Sequence, residues 1–214
     1  MKKKIWQLEY TITLFIIVGM ILILLPVSIG GTRQAGLISR WNEQYNRTDY
    51  MFSVIKASID ENTENTFKNA EGDNEKNQLA LQLFQPYLRI DTSKKIPRFY
   101  RIKYMDGSRV LKNQEYYFDN LYYMEKNIII GIKHVDVDNP LYPSYKIMFD
   151  MNGKLPPNRW GKDIFGVDVY SNSTIKAFGE GLSMDALEND CSRNGTGVTC
   201  SYYYKIGGAF DDAK

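Results

Sequence analysis

No charged residue occurs between Tyr10 and Thr32, and the run from Ile12 to Leu25 is almost wholly aliphatic. At about 1.5 Å of rise per residue, roughly 20 apolar positions cross a hydrocarbon core of about 30 Å. A soluble core helix would carry a polar stripe, and none is present. The run therefore reads as a transmembrane helix. Lys2, Lys3 and Lys4 flank it, and the positive-inside bias places that flank in the cytoplasm and sends residues 33–214 outward. A cleaved secretory signal peptide is the alternative. It fits less well, because the run is longer than a usual h-region and Ser28-Ile29-Gly30 is an indifferent cleavage site.

The remaining composition excludes more than it assigns. The 214 residues suffice for one well-packed domain plus an appendage. With the three lysines and one glutamate of the first 26 residues set aside, 24 cations face 24 anions. A nucleic-acid-binding domain normally carries a basic surplus, so no nucleic-acid partner is expected. One histidine and two cysteines exclude His/Cys zinc clusters and leave His-dependent nucleophilic catalysis without support. No nucleophile–base pair, phosphate loop or local pattern of paired carboxylates stands out, so no enzyme activity is expected.

Gly30-Gly31 reads as a joint. Beyond it Ile38, Trp41, Tyr45, Phe52, Ile55 and Ile59 recur at three- and four-residue steps, skipping a position at Thr48, which predicts an amphipathic helix with one face on a domain. A coiled-coil partner is the alternative for that face. Glu61–Asn77 is polar and reads as a solvated loop, followed by a short helix through Leu79, Leu83, Tyr87 and Leu88 with Pro86 near its end.

From Phe99 the period becomes two. Strands are predicted over Phe99–Met105 and Arg109–Lys112 around an Asp106-Gly107 turn, then over Ile128–Val137, Tyr145–Phe149, Ile164–Tyr170 and Ser201–Ile206. Asp138-Asn139-Pro140 and Asn152-Gly153 read as turns. Helix first and antiparallel sheet after is an α+β layout. The organisation expected is a basic leader (1–4), a transmembrane helix (5–30), an exported amphipathic helix (31–70) and a sheet headpiece (71–214).

Two patches resemble a known family. Leu8-Glu9-Tyr10-Thr11-Ile12-Thr13-Leu14-Phe15-Ile16-Ile17-Val18-Gly19, with Pro26 seventeen residues beyond Glu9, is similar to the N-terminal helix of type IV pilins and type II secretion pseudopilins. In that family a basic leader precedes the cleavage site, and the glutamate lies five residues past the cut. The second patch is Asp150-Met151-Asn152-Gly153 followed by Pro157-Asn158-Arg159-Trp160-Gly161-Lys162-Asp163-Ile164-Phe165, which resembles a run in many prepilin-like sequences that also carry a late cysteine pair.

The resemblance implies a pilin-like fold, with one long helix, transmembrane then amphipathic, packed on an antiparallel headpiece. It implies an assembly role for Glu9 and Pro26; on chemistry alone, Glu9 is otherwise a carboxylate snorkelling from the lip of the apolar helix. It departs at the processing point, where Lys4 replaces the family's glycine and Ile5-Trp6 replaces Phe-Thr, so the site between Lys4 and Ile5 is degenerate.

Cys191 and Cys200 enclose a Gly-, Asn- and Thr-rich loop, and outside the cytosol a disulfide is the expected state. A reactive thiol pair is the alternative, although the spacing is not C-x-x-C. Asp150, Asn152 and Asp163 are oxygen donors in a turn-rich stretch, as are Asp136, Asp138 and Asn139. Ca²⁺ takes six to eight such oxygens, but turn and cap residues without metal have the same composition, and neither run has EF-hand spacing. No other cofactor is expected.

Adjacent tyrosines at 116–117, 122–123 and 202–204 read either as sheet residues or as a contact surface. His134, inside a strand and without a catalytic companion, reads as structural. The function expected is a pilin-like or pseudopilin-like structural subunit of a type IV pilus or type II secretion system, single-pass in the inner membrane with its C-terminal domain outside. Its partners would be the membrane and other pilin-type subunits, including copies of itself in a surface filament. The alternative is a non-polymerising single-pass protein whose exported domain binds a ligand or partner.

Overall fold

The computed structural model describes residues 2–58, 69–135 and 141–209, the side chains of 2–9 and 22–31 excepted. Helix α1 is Lys2–Ser58, continuous through Gly30-Gly31, where a joint was expected. The chain divides into two compact units at Gly36–Leu37.

The second unit is α+β. Helix α2 (Gly72–Leu88) is followed by strands β1 (Leu121–Tyr123), β2 (Ile129–His134), β3 (Pro143–Asp150), β4 (Ile164–Tyr170) and β5 (Ile175–Ala177), then helices α3 (Met184–Asp190) and α4 (Cys200–Lys205). The strands form one antiparallel meander in chain order, with Ile132 opposite Ile147 and Phe149 opposite Phe165.

The C-terminal half of α1 packs as its periodicity predicts. Trp41, Tyr45, Phe52 and Ile55 are buried in one core with Ile130, Ile132, Ile147, Phe149, Phe165 and Val167. The face is therefore taken by the sheet, not by a coiled-coil partner. The skipped position is filled: Thr48 is fully buried, and its hydroxyl donates to the Gln44 carbonyl at 2.8 Å, so the stripe is continuous. Ile59 lies outside the described residues.

Helix α2 adds Ala80, Phe84 and Leu88 to this core, with Phe84 edge-on to Phe52 at 5.1 Å. It begins at Gly72, so residues 72–77 are helical rather than part of the expected loop. The cause is tertiary: Asn77 accepts the backbone N–H of His134 at 2.8 Å, pinning a polar turn of helix onto β2.

The opposite sheet face is covered as well. Tyr100, Ile102, Val110, Phe118, Trp160, Phe178 and Val198 pack on Ile129, Met148 and Ile164. Most of this cover is irregular, and here the sequence reading fails. The hairpin expected at Phe99–Lys112 reduces to a single bridge, Lys103 opposite Arg109, around a turn at Gly107 (φ +92°). Lys103 instead exchanges hydrogen bonds with Asn158 and Trp160, and the alternating apolar residues lie on the sheet rather than extending it.

Gly166 permits that close cover, since a Cβ there would stand 2.3 Å from the Phe178 ring. The strand expected at Ser201–Ile206 is α4. It buries Cys200, Ser201 and Tyr204, a helical spacing, and Tyr202 and Tyr203 pack partly buried against the first core.

Candidate functional site

Within α1 every side chain from Tyr10 to Val18 is exposed, as are Met20 and Ile21. Nine of these are large apolar groups, with Tyr10 at 77% and Phe15 at 74%. Each such group gains about 1.5–3 kcal/mol on full burial. A helix that is apolar all round is stable only when lipid or other protein surrounds it. The side chains of Glu9, Pro26, Lys4 and Ile5 lie outside those the structure describes. Among the described residues no helix is long and apolar enough to cross a membrane; of the Tyr10–Thr32 run, the side chains described are 10–21 and Thr32.

At the far end of the chain Cys191 and Cys200 form a disulfide, with Cα atoms 5.3 Å apart. Asp190 organises the loop it closes. One carboxylate oxygen accepts from the N–H and hydroxyl of Thr196 at 2.8 and 2.6 Å, and the other from those of Thr199 at 2.9 and 2.8 Å. Ser183 caps α3 by accepting from the Ala186 N–H. Arg193, Asn194 and Thr196 are left exposed on the loop, while Gly197 and Val198 turn inward.

The second patch of resemblance forms a buried acidic pair. Asp150 and Asp163 are fully buried. Asp150 accepts from the Tyr100 hydroxyl at 2.7 Å and the Asn152 N–H at 3.2 Å; Asp163 accepts from the N–H groups of Asn158 and Arg159 at 2.8 and 2.6 Å. Burial, then the neighbouring Asp163 charge, pushes Asp150 well above the usual carboxylate range. Burial raises Asp163 to about 6 against the pull of its two N–H donors.

This arrangement fixes the backbone of the 150–163 segment. As calcium ligands the two carboxylates offer oxygens already occupied by donors, and Asn152 is half-buried beside them with its side-chain oxygen unpartnered. Among the described residues no three His, Cys, Asp or Glu side chains are grouped to hold a metal. Asp136, Asp138 and Asn139 lie outside the described residues.

The tyrosine pairs are half-buried, apart from Tyr204, which is buried against Phe165. His134 faces Asp73 at 2.8 Å through Nδ1 and packs edge-on against Tyr145. An open basin of about 390 Å³ lies between the Thr92–Arg101 segment and β1, with Lys94, Lys95, Arg98, Arg101, Tyr117 and Tyr122 on its walls.

The sequence reading missed two charge clusters. Glu125 pairs with both Arg47 and Arg89, and Lys146 is paired with Asp168 and Glu115 on the second sheet face. A signal for the latter exists: Lys146 and Asp168 are opposite charges within the largely apolar interiors of two strands. The chain matches no family model, no curated protein and no solved structure.

Proposed function

We propose that the chain is a pilin-like or pseudopilin-like structural subunit, single-pass in the inner membrane, with its sheet domain and disulfide loop displayed outside. The observation that carries this reading is the N-terminal helix, apolar on every side and exposed over residues 10–21. Such a surface is used by inserting it into a bilayer and by packing it against equivalent helices. The disulfide supports an oxidising compartment, which agrees with the orientation that Lys2–Lys4 favour.

In this reading Glu9 and Pro26 belong to the assembly helix, and the degenerate site at Lys4–Ile5 favours retention of the leader and a standing anchor. A non-polymerising single-pass protein is the second reading, favoured by the basic, tyrosine-walled basin on the exported domain.

Cysteine scanning of the apolar helix in native membranes tests both. With Ile17→Cys, oxidative cross-linking yields disulfide-linked dimers if the helices bundle, and monomer alone if the anchor stands alone. Release of the chain from membranes by alkaline carbonate would sink both.

A further inference from the structure

Lys146 and Asp168 face each other across β3 and β4 as register partners on the second sheet face. The Lys146 side chain is only 7% exposed, yet its Nζ stands 2.7 Å from Asp168 Oδ1 and 2.9 Å from Glu115 Oε1. The rings of Tyr116 and Phe178 lie 5.4 and 5.2 Å from the same nitrogen. One buried amine, a largely buried carboxylate, a second carboxylate open to solvent and two flanking rings thus converge at one point.

Burying an ion pair is costly unless further partners satisfy the ammonium, and Glu115 and the two rings supply them here. The two carboxylates hold Lys146 protonated in the resting state, while burial raises Asp168. In a low-dielectric setting a proton moving from the ammonium to a carboxylate exchanges two buried charges for a neutral amine and a neutral acid. Those are the partners of amide formation.

We propose that Lys146 and Asp168 condense to an intramolecular isopeptide bond, with Glu115 as the proton carrier. Glu115 carries a proton from the Lys146 ammonium to the Asp168 carboxylate, and the freed nitrogen lone pair attacks Cγ of the now neutral Asp168 acid. The Cγ–N bond forms and a Cγ–O bond breaks. The departing oxygen receives its protons from the nitrogen, by way of Glu115, and leaves as water. Ammonium plus carboxylate becomes amide plus water, with charge and atoms balanced and no oxidant or further reactant. Glu115 is 59% exposed, which provides the water's route out. The bond would staple the two central strands of the sheet covalently.

Peptide mapping of the full-length chain by mass spectrometry after disulfide reduction tests this. The expected product is a branched peptide joining the Lys146 segment to the Asp168 segment, lighter than their sum by one water. Lys146→Arg, which keeps the charge but removes the nucleophilic amine, and Asp168→Ala each leave two linear peptides. Glu115→Ala slows joining by about 100-fold, the scale of lost proton transfer. Linear peptides bearing free Lys146 and Asp168 in the wild-type chain would overturn the proposal, and unslowed joining in the Glu115 variant would overturn its role.

Discussion

The indole of Trp41 stacks on the ring of Phe165 at 5.3 Å and 21°, and its N–H donates to the Ser201 carbonyl at 2.8 Å. One side chain of the long helix therefore holds both the middle of the sheet and the C-terminal helix.

Trp41→Ala is expected to destabilise the sheet domain by about 3–5 kcal/mol, the range for truncating a buried aromatic. Trp41→Phe keeps much of the stacking but removes the donor to Ser201 and part of the buried volume, so its cost is one unmade hydrogen bond, about 1–3 kcal/mol, plus a smaller cavity term. Chemical denaturation followed by tryptophan fluorescence separates the two; equal costs would show that the hydrogen bond carries the contact.

Ser201 is the next link. Its hydroxyl donates to the Val198 carbonyl at 3.0 Å and accepts the Gly166 N–H of β4 at 2.9 Å, in full burial. Ser201→Ala orphans that N–H, at about 1–3 kcal/mol. Hydrogen exchange is the direct readout: the Gly166 amide loses protection while amides of α2 keep theirs.

Cys191 and Cys200 close a ring of nine-residue separation. The chain-entropy account gives about 2–3 kcal/mol for so short a loop. Cys191→Ser with Cys200→Ser should lower the melting temperature by several degrees, with reductant reproducing the shift in the wild type. Because four hydrogen bonds to Asp190 hold the same loop, Asp190→Ala added to the double serine variant should cost more than it does in the oxidised wild type.

These links show where the sequence was readable. Ile164–Tyr170 is read to the residue, and the buried stripe of the C-terminal half of α1 nearly so, because periodicity records burial directly. Ser201–Ile206 was misread for a physical reason: three consecutive tyrosines favour a strand, but the disulfide, Ser201 and Tyr204 reward the helical spacing instead. The loops over the second sheet face were invisible, since their alternating residues serve as cover and form no ladder. Strands β1 and β5, of three residues each, carry too little pattern to be read. The Cys191–Cys200 pairing was legible from the cysteine count together with the expected compartment; the Asp150–Asp163 burial was legible only as turn chemistry.

That buried pair sets the last prediction. An aspartate raised in the folded state binds its proton more tightly there than in the unfolded chain, so its contribution to stability is complete below the unfolded value and lost as pH rises through the folded one. For Asp163 the window runs from 3.8 to about 6. Asp91 works in the opposite sense: the Ser93 hydroxyl, then Lys94, hold it at about 2, so its contribution is lost as pH falls below 3.8. The two windows do not overlap. Melting temperature should therefore fall as pH is raised from 4 to 7, and Asp150→Asn should flatten that slope. The asparagine removes the neighbouring charge, still accepts the Asn152 N–H, and lets the Tyr100 hydroxyl rotate to accept from its amide. A slope unchanged in Asp150→Asn would mean that Asp150, raised by burial and by the Asp163 charge, adds nothing to the pH dependence over that range.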